Sequence, residues 1–524
     1  MMWIRRIVLL IQVTLIMMCS HAQVNTEDIQ QALMKTDRAD ISLQYPEYVK
    51  DFYTAYNHQF AWINKRSNIQ YLLQLFEKAP VFGLEAEDYQ FDFIQSFRNN
   101  ALIPTTHTDS LLAEIRFTDA AIHFFREVAY GARKPAVGYN GLNYSPDCFN
   151  IPALLAAAIA ENRLPLLLQD LEPSLAGYFA LKRMLFIFNH SVNDSLFTEE
   201  KITSAAVNNK NRQLLNRLYY LGITDSLNGH YSDGHIKEKL REAQRLFNML
   251  DDGVLRSTTM QALNMPLSVR IEELKLAMNT IRWLRCISEQ SPVVVVNIPS
   301  ASLIVYKGSH ILLQSKIIVG KKSTPTPVFT STITDIVLYP YWMVPQRIAT
   351  RELLPIIKHS PGYLDANNMQ VLNKNGKIIN PYTINWSEFS TSYFPYTLRQ
   401  STGCDNSLGI IKINFYSPYS VYLHDTPGKS LFNLNKRYFS HGCMRVEKAI
   451  ALAHFLLKGN AIAIDTLEEK GCLNNQPPKT VPVTQVPVFV LYNTAWADSS
   501  ATVQFNDDIY KKLSLPNKKL QVKR

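Results

Sequence analysis

Apolar residues return at three- and four-residue steps over the first part of the chain and at two-residue steps over the last part, which predicts two kinds of architecture in one polypeptide. Residues 23–195 are helical and rich in aromatics, as in YPEYVKDFYTAYNHQFAWI and DSLLAEIRFTDAAIHFFREVAYGARKP. Leu111, Leu112, Ile115, Ala121, Ile122 and Phe125 share one face of a long helix, with half-polar Thr118 between them and Gly131 and Pro135 at its end. Aromatics on such faces read as core. From 196 to 266 shorter helices alternate with a loop, and 267–290 continues as a connecting helix. The period then switches: VVVVNIPSASLIVYKGSHILLQSKIIVG is β-branched and broken at Pro299-Ser300 and Lys307-Gly308, so it predicts three strands joined by turns. The stretch 351–399 exceeds an ordinary connection of about 4–6 residues and is predicted as an inserted subdomain or lid. Strands resume afterwards to about 497, and 498–524 is read as a tail with further strand, a helix start and a Lys-rich end. The expected fold class is therefore multidomain α+β, helical first and mainly β last.

Composition narrows the setting. With 524 residues the chain exceeds one hydrophobic core, and 47% hydrophobic against 19% charged residues is ordinary for a globular protein. The start, MMWIRRIVLLIQVTLIMMCSHAQ, places Arg5-Arg6 before a short apolar run and small residues at Ser20 and Ala22, which predicts a signal peptide over 1–22 with cleavage before Gln23. That run is short of the roughly 20 residues a spanning helix needs, so a membrane contact is expected only through an uncleaved signal segment. Removing 1–22 takes away Arg5 and Arg6 and lowers the net charge from +10 to +8. A basic surface suits an anionic polymer, of which the bacterial wall is one. Nucleic acid is not expected, because no basic cluster is interleaved with aromatics. Export would leave Cys148, Cys286, Cys404, Cys443 and Cys472, an odd number, so at least one stays unpaired within the chain. Pairing among the others is open.

Candidate chemistry concentrates in SVYLHDTPGKSLFNLNKRYFSHGCMRVEKAIALAHFLL, residues 420–457. Cys443 follows His441-Gly442, and His424 lies upstream at the end of the Val421-Tyr422-Leu423 run, where a strand enters the turn Asp425-Thr426-Pro427-Gly428. A thiol of pKa about 8.5 needs a base to become a nucleophile at neutral pH, and an imidazole can supply it. Val446, Ala449, Ile450, Ala453, Leu456 and Leu457 recur at helical spacing, so Cys443 is expected just ahead of a helix whose N-terminus favours thiolate and oxyanion. Gly442 lets a carbonyl approach the backbone closely. Other readings stand beside these. His424, His441, Cys404 and Cys443 are zinc-ligand types but lack paired ligand spacing, so no metal is expected. Cys404 is a turn residue or a second thiol, His441 a structural residue or a wall of the site, and Arg445 a carboxylate binder or a salt-bridge partner.

The passage resembles the signature of the YkuD-type L,D-transpeptidases: a histidine, a gap of about fifteen residues, then Ser/Thr-His-Gly-Cys, here His424 followed by Ser440-His441-Gly442-Cys443. Arg445 stands where many members have Asn and resembles the large periplasmic subgroup. The resemblance implies that Cys443 is the nucleophile and His424 the general base, steered by the Asp425 carbonyl. Amides of Gly442 and Cys443, with Tyr422, would form the oxyanion hole. By the same resemblance 23–195 would be a scaffold domain, 196–266 a peptidoglycan-binding-like domain, and 291–497 the catalytic domain with 351–399 as its cap. RQSTGCDNSLGIIKINF also resembles the family at Gly403, Asn406, Leu408-Gly409 and Lys412, with Thr402 where a proline is common. The implied function is 3-3 cross-linking of peptidoglycan stem peptides in the periplasm, through a thioester and without a cofactor. Implied partners are stem peptides, glycan and wall-associated proteins. The alternatives are an L,D-carboxypeptidase or other cysteine peptidase, and a catalytically idle wall-binding scaffold.

Overall fold

The computed structural model describes residues 26–35, 43–99, 106–133, 148–227, 229–457, 467 and 471–513. The expected signal segment 1–22 lies outside them. The chain divides into two compact units, residues 1–132 with 147–172, and residues 133–146 with 173–524.

The first unit is helical: α1 (Thr26–Lys35), α2 (Pro46–Ala55), α3 (Arg66–Glu77), α4 (Phe91–Arg98), α5 (His107–Tyr130), α6 (Ile151–Ala160) and α7 (Leu164–Leu171). Helix α5 starts at a capping box, Thr106 with Asp109, and ends at Gly131. Ile115, Thr118, Ala121, Ile122 and Phe125 are all buried on it, as its period predicts. Trp62, Phe52, Phe76 and Phe124 fill the surrounding core with no exposed surface. Buried Glu114 is satisfied by the N–H groups of Ala61, Trp62 and Ile63, so a carboxylate holds the turn after α2 against α5. Burial nevertheless pushes its carboxyl up to about 7.

The second unit opens with α8 (Ala176–Val192), α9 (Arg212–Tyr220), α10 (Asp233–Leu246), α11 (Ser257–Leu263) and α12 (Leu267–Gln290). The strands that follow are β1 (Val293–Asn297), β2 (Ser302–Lys307), β3 (His310–Gly320), β4 (Phe329–Leu338), β5 (Trp342–Met343), β6 (Met369–Leu372), β7 (Ile378–Ile379), β8 (Thr397–Gln400), β9 (Ile411–Phe415), β10 (Leu423–His424), β11 (Tyr438–Ser440), β12 (Met444–Val446), β13 (Lys479–Leu491), β14 (Ala495–Ala497) and β15 (Val503–Phe505). Helices α13 (Leu354–His359) and α14 (Ala449–Leu456) lie among them, with shorter helical turns at Gln346–Ile348 and Tyr363–Ala366.

Nine strands form the main sheet in the order β11-β3-β12-β10-β9-β4-β13-β1-β2, and β3 also pairs with β2, which closes the ring of pairings. The run VVVV of β1 is buried on both faces, as its continuous apolar character requires. Val293 and Val295 face a core shared with α8–α12, while Val294 and Val296 face the core between the strands and α14. The segment 196–266 contributes to the first of these cores, together with Tyr178, Trp283, Phe489 and Trp496. Strand β15, within the stretch read as a tail, also enters it through Val503 and Phe505. No helix forms at 507–513, where that reading expected one to begin; turns and coil occupy it. Strands β5-β8-β6-β7 make a separate four-stranded sheet over 342–400 with its own core, including Ile357, Trp386, Phe394 and Leu398.

Candidate active site

Strand pairing brings the candidate residues together. Strands β10 and β12 run parallel, with Leu423 opposite Met444 and His424 opposite Arg445. Leu423 and Met444 are completely buried in the strand core. Side chains alternate along a strand, so Tyr422, His424 and Arg445 turn to the opposite face, while Cys443, just ahead of β12, also packs against the strand core. The ring contact between Tyr422 and His424, 5.7 Å between centroids, agrees with that placement. On the other side β9 runs antiparallel with Lys412 opposite His424. Its Ile411, Ile413 and Phe415 face the core, which leaves Lys412 and Asn414 beside the histidine and tyrosine.

His424 ends β10 and is buried. Its Nδ1 lies 2.6 Å from the Asp425 carbonyl oxygen. That oxygen can only accept, so Nδ1 carries the proton in the neutral ring and Nε2 keeps a lone pair. Asp425 is itself fixed: its carboxylate accepts from Ile410 N–H at 3.1 Å and pairs with Lys429 at 2.5 Å. Gly409 makes this possible, because it has φ +61° and a Cβ there would fall 2.3 Å from Asp425 Oδ2. Burial pushes the His424 imidazole down to about 3, and the charges of Arg445 and then Lys412 act in the same direction against the opposing Asp425 bond. The ring is neutral at neutral pH.

Cys443 is half-buried and is the free cysteine among the described residues. Burial raises its thiol; hydrogen bonding from Tyr422 and the charges of Lys412 and Arg445 pull it back. The helix expected immediately after it is displaced. Strand β12 and the pair Glu447-Lys448 intervene before α14 begins at Ala449, so its dipole, which acts within about one turn, does not reach the sulfur. The β-branched valine that fits the helical period at 446 instead completes a strand. Gly442 has φ +115°, and its carbonyl accepts from the Thr326 hydroxyl at 2.8 Å. Its N–H donates to Ser440 Oγ at 3.2 Å, and that hydroxyl donates to the Cys443 carbonyl at 2.5 Å. Ser440 thus ties the turn, and the Gly442 amide assigned to an oxyanion hole is committed inside the protein. The Cys443 N–H has no acceptor among the described residues.

His441 is exposed, and its Nε2 lies 2.7 Å from Glu352 Oε1 on the helical turn Ala349–Leu353 of the inserted subdomain. Arg445 is half-buried and makes no ion pair among the described residues. Cys404 is bonded to Cys472, so it is neither a second thiol nor a free ligand. Sequence reasoning noted Lys412 only as a position of a family-like segment, without a role, and it did not anticipate the Glu352 contact or the Cys404–Cys472 bond. The alternation of Ile-Lys-Ile-Asn-Phe held the signal for Lys412; nothing local held one for the other two.

A closed mainly β domain thus holds His424, Lys412 and Arg445 on paired strands, with Cys443 two residues before Arg445. Residues 291–464 match the family model of the L,D-transpeptidase catalytic domain, YkuD, and residues 47–185 match that of the Scaffold domain. The chain thus carries a YkuD L,D-transpeptidase catalytic domain preceded by a Scaffold domain. A putative L,D-transpeptidase of Haemophilus influenzae is 38% identical over 234 residues, 44% of this chain and 47% of that protein. The chain therefore covers about half the length of the curated relative it matches. Among solved structures, an L,D-transpeptidase from Mycobacterium smegmatis is 16% identical over 38% of this chain and 58% of its own, with a TM-score of 0.19. An L,D-transpeptidase in complex with imipenem is 15% identical with the same coverage and TM-score. No helix among the described residues is long and apolar enough to cross a membrane.

Proposed function

We propose that this protein is an exported peptidoglycan L,D-transpeptidase that forms 3-3 cross-links through a thioester at Cys443. The observation that supports the reading is the pairing of β10 with β12, which sets His424 opposite Arg445 two residues beyond Cys443, together with Nε2 of the buried imidazole left as an acceptor. In the first half-reaction Nε2 takes the thiol proton while Sγ attacks the carbonyl of the L-centre in a donor tetrapeptide stem. The Cys443 N–H is the donor available to the oxygen that gains charge. Collapse breaks the amide bond, the terminal D-alanine leaves as an amine protonated from His424, and the acyl group stays on sulfur. In the second half-reaction a side-chain amine of an acceptor stem attacks the thioester, passes a proton to Nε2 and releases the thiolate. Arg445, which makes no ion pair among the described residues, would meet a substrate carboxylate, and the inserted subdomain would keep water from the thioester. Glycan contact through 196–266 and release into the periplasm belong to the same reading.

The test incubates the purified chain with tetrapeptide muropeptides and reads both products and intact protein by mass spectrometry. Cross-linked dimers with loss of D-alanine, and an acyl adduct absent from Cys443→Ala, are expected. Monomeric tripeptide alone would make the protein an L,D-carboxypeptidase, and no adduct or product would make it a wall-binding scaffold.

A further inference from the structure

Two half-buried cations, Lys412 and Arg445, lie on the strands that flank His424, and the charge of each acts on the Cys443 thiol. Lys412 lies across the ladder from His424, and its Nζ sits 4.3 Å from the centroid of the Tyr422 ring. Neither Lys412 nor Arg445 joins an ion pair among the described residues. Asp335 of β4 is hydrogen-bonded by Asn414 at 2.7 Å and by the Thr334 hydroxyl at 2.7 Å and makes no ion pair with Lys412, although its charge acts on Lys412 after that of the sulfur. An ammonium removed from water without a counter-ion is costly, and the fold tolerates it where an anion is to appear. Here that anion is the ionised sulfur, whose charge raises Lys412 against the lowering effect of burial.

We propose that Lys412, held over the Tyr422 ring, is the electrostatic partner of the nucleophile: its ammonium stabilises the thiolate of Cys443 and sets the pH at which the sulfur reacts. The S–H bond breaks with its electron pair left on sulfur, and the proton passes to water in the free protein. Burial and the same two cations disfavour imidazolium at His424 in the free protein, so before substrate binds the positive charge acting on the sulfur is that of Lys412 and Arg445. The titratable and charged groups around the sulfur are Tyr422, Lys412 of β9 and Arg445 of β12, which act on it directly, with His424 of β10 opposite Lys412 and Arg445, Asp335 of β4 further along the sheet, and His441 with Glu352 at the adjoining turn. The inference goes beyond the proposed reaction by naming the residue that tunes its nucleophile, and it rests on Cys443 being that nucleophile.

The experiment measures the rate of Cys443 alkylation by iodoacetamide against pH on the full chain, with the adduct read by intact mass. It needs no peptidoglycan, so its outcome is separate from that of the muropeptide assay. Lys412→Met should move the alkylation midpoint up by about one unit, a roughly tenfold loss of thiolate near neutral pH, and Lys412→Arg should restore it. Lys412→Gln keeps a polar group at this half-buried position and should shift the midpoint like the Met variant; circular dichroism checks the fold of each. An unchanged midpoint in folded Met or Gln variants overturns the proposal. A rise in KM with an unchanged alkylation profile also overturns it, by assigning Lys412 to substrate binding.

Discussion

His424 carries the largest pH liability in the catalytic domain. In an unfolded chain its imidazole titrates near 6.5, whereas in the fold it is pushed down to about 3. Between those values the unfolded state binds more protons, so this residue's stability contribution is complete above about pH 6.5 and is lost as pH falls toward 3. The loss between pH 7.5 and 5 is expected to be about 2 kcal/mol. Urea denaturation at the two pH values measures it, and His424→Gln should remove most of the difference. The same residue illustrates how a sequence motif gains chemical detail from its surroundings. Its strand-end position follows from Val421-Tyr422-Leu423, but its tautomer depends on the Asp425 carbonyl, and Asp425 is held by groups on two other segments, Ile410 and Lys429.

Secondary-structure elements meet at the site in a way that no single element encodes. The inserted subdomain touches the Ser440-His441-Gly442-Cys443 turn through Glu352 and His441. Both side chains are substantially exposed, 47% and 31%, so the pair is worth no more than about 1 kcal/mol. Glu352→Ala is expected to speed amide hydrogen exchange over residues 346–359 by up to about fivefold while leaving β9 unchanged; equal rates would show that other contacts hold this segment. On the opposite flank, the Cys404–Cys472 bond and the Cys404 N–H to Asn474 Oδ1 contact, 3.1 Å, fix the loop that leads through Gly409 into β9. That loop delivers Ile410 to Asp425, so the bond supports the histidine at one remove.

The second unit is held together by residues that are hundreds of positions apart. Phe505 is 2% exposed, stacks on Phe188 at 5.9 Å, packs near Phe247 and lies 4.8 Å beneath the Arg270 guanidinium. Truncating it to alanine opens a cavity between α8, α10 and β15, and Phe505→Ala is expected to cost about 3–5 kcal/mol in denaturant unfolding. Below the unfolding transition the alkylation rate of Cys443 should stay at the wild-type value, because this core packs on β1, β2 and β13, whereas β9, β10 and β12 carry the site. A drop in that rate in the folded state would mean the two are coupled through β1 and β13.

Local pattern was enough for much of this protein. Period 3.6 and a terminal glycine define α5, a β-branched run defines β1, and the spacing from His424 to Cys443 marks the passage that carries the chemistry. These are legible because propensity and burial act on neighbours in sequence. The error after Cys443 has the same origin: Val446 fits a helical period but pairs with Ile317 of β3, and pairing partners far along the chain leave no mark on a local period. Sheet register put Lys412 and Arg445 on either side of His424. Folding also brought Glu352 to His441 and joined Cys404 to Cys472. Which charges neighbour a thiol is a matter of long-range geometry, and electrostatics acts through space rather than along the backbone.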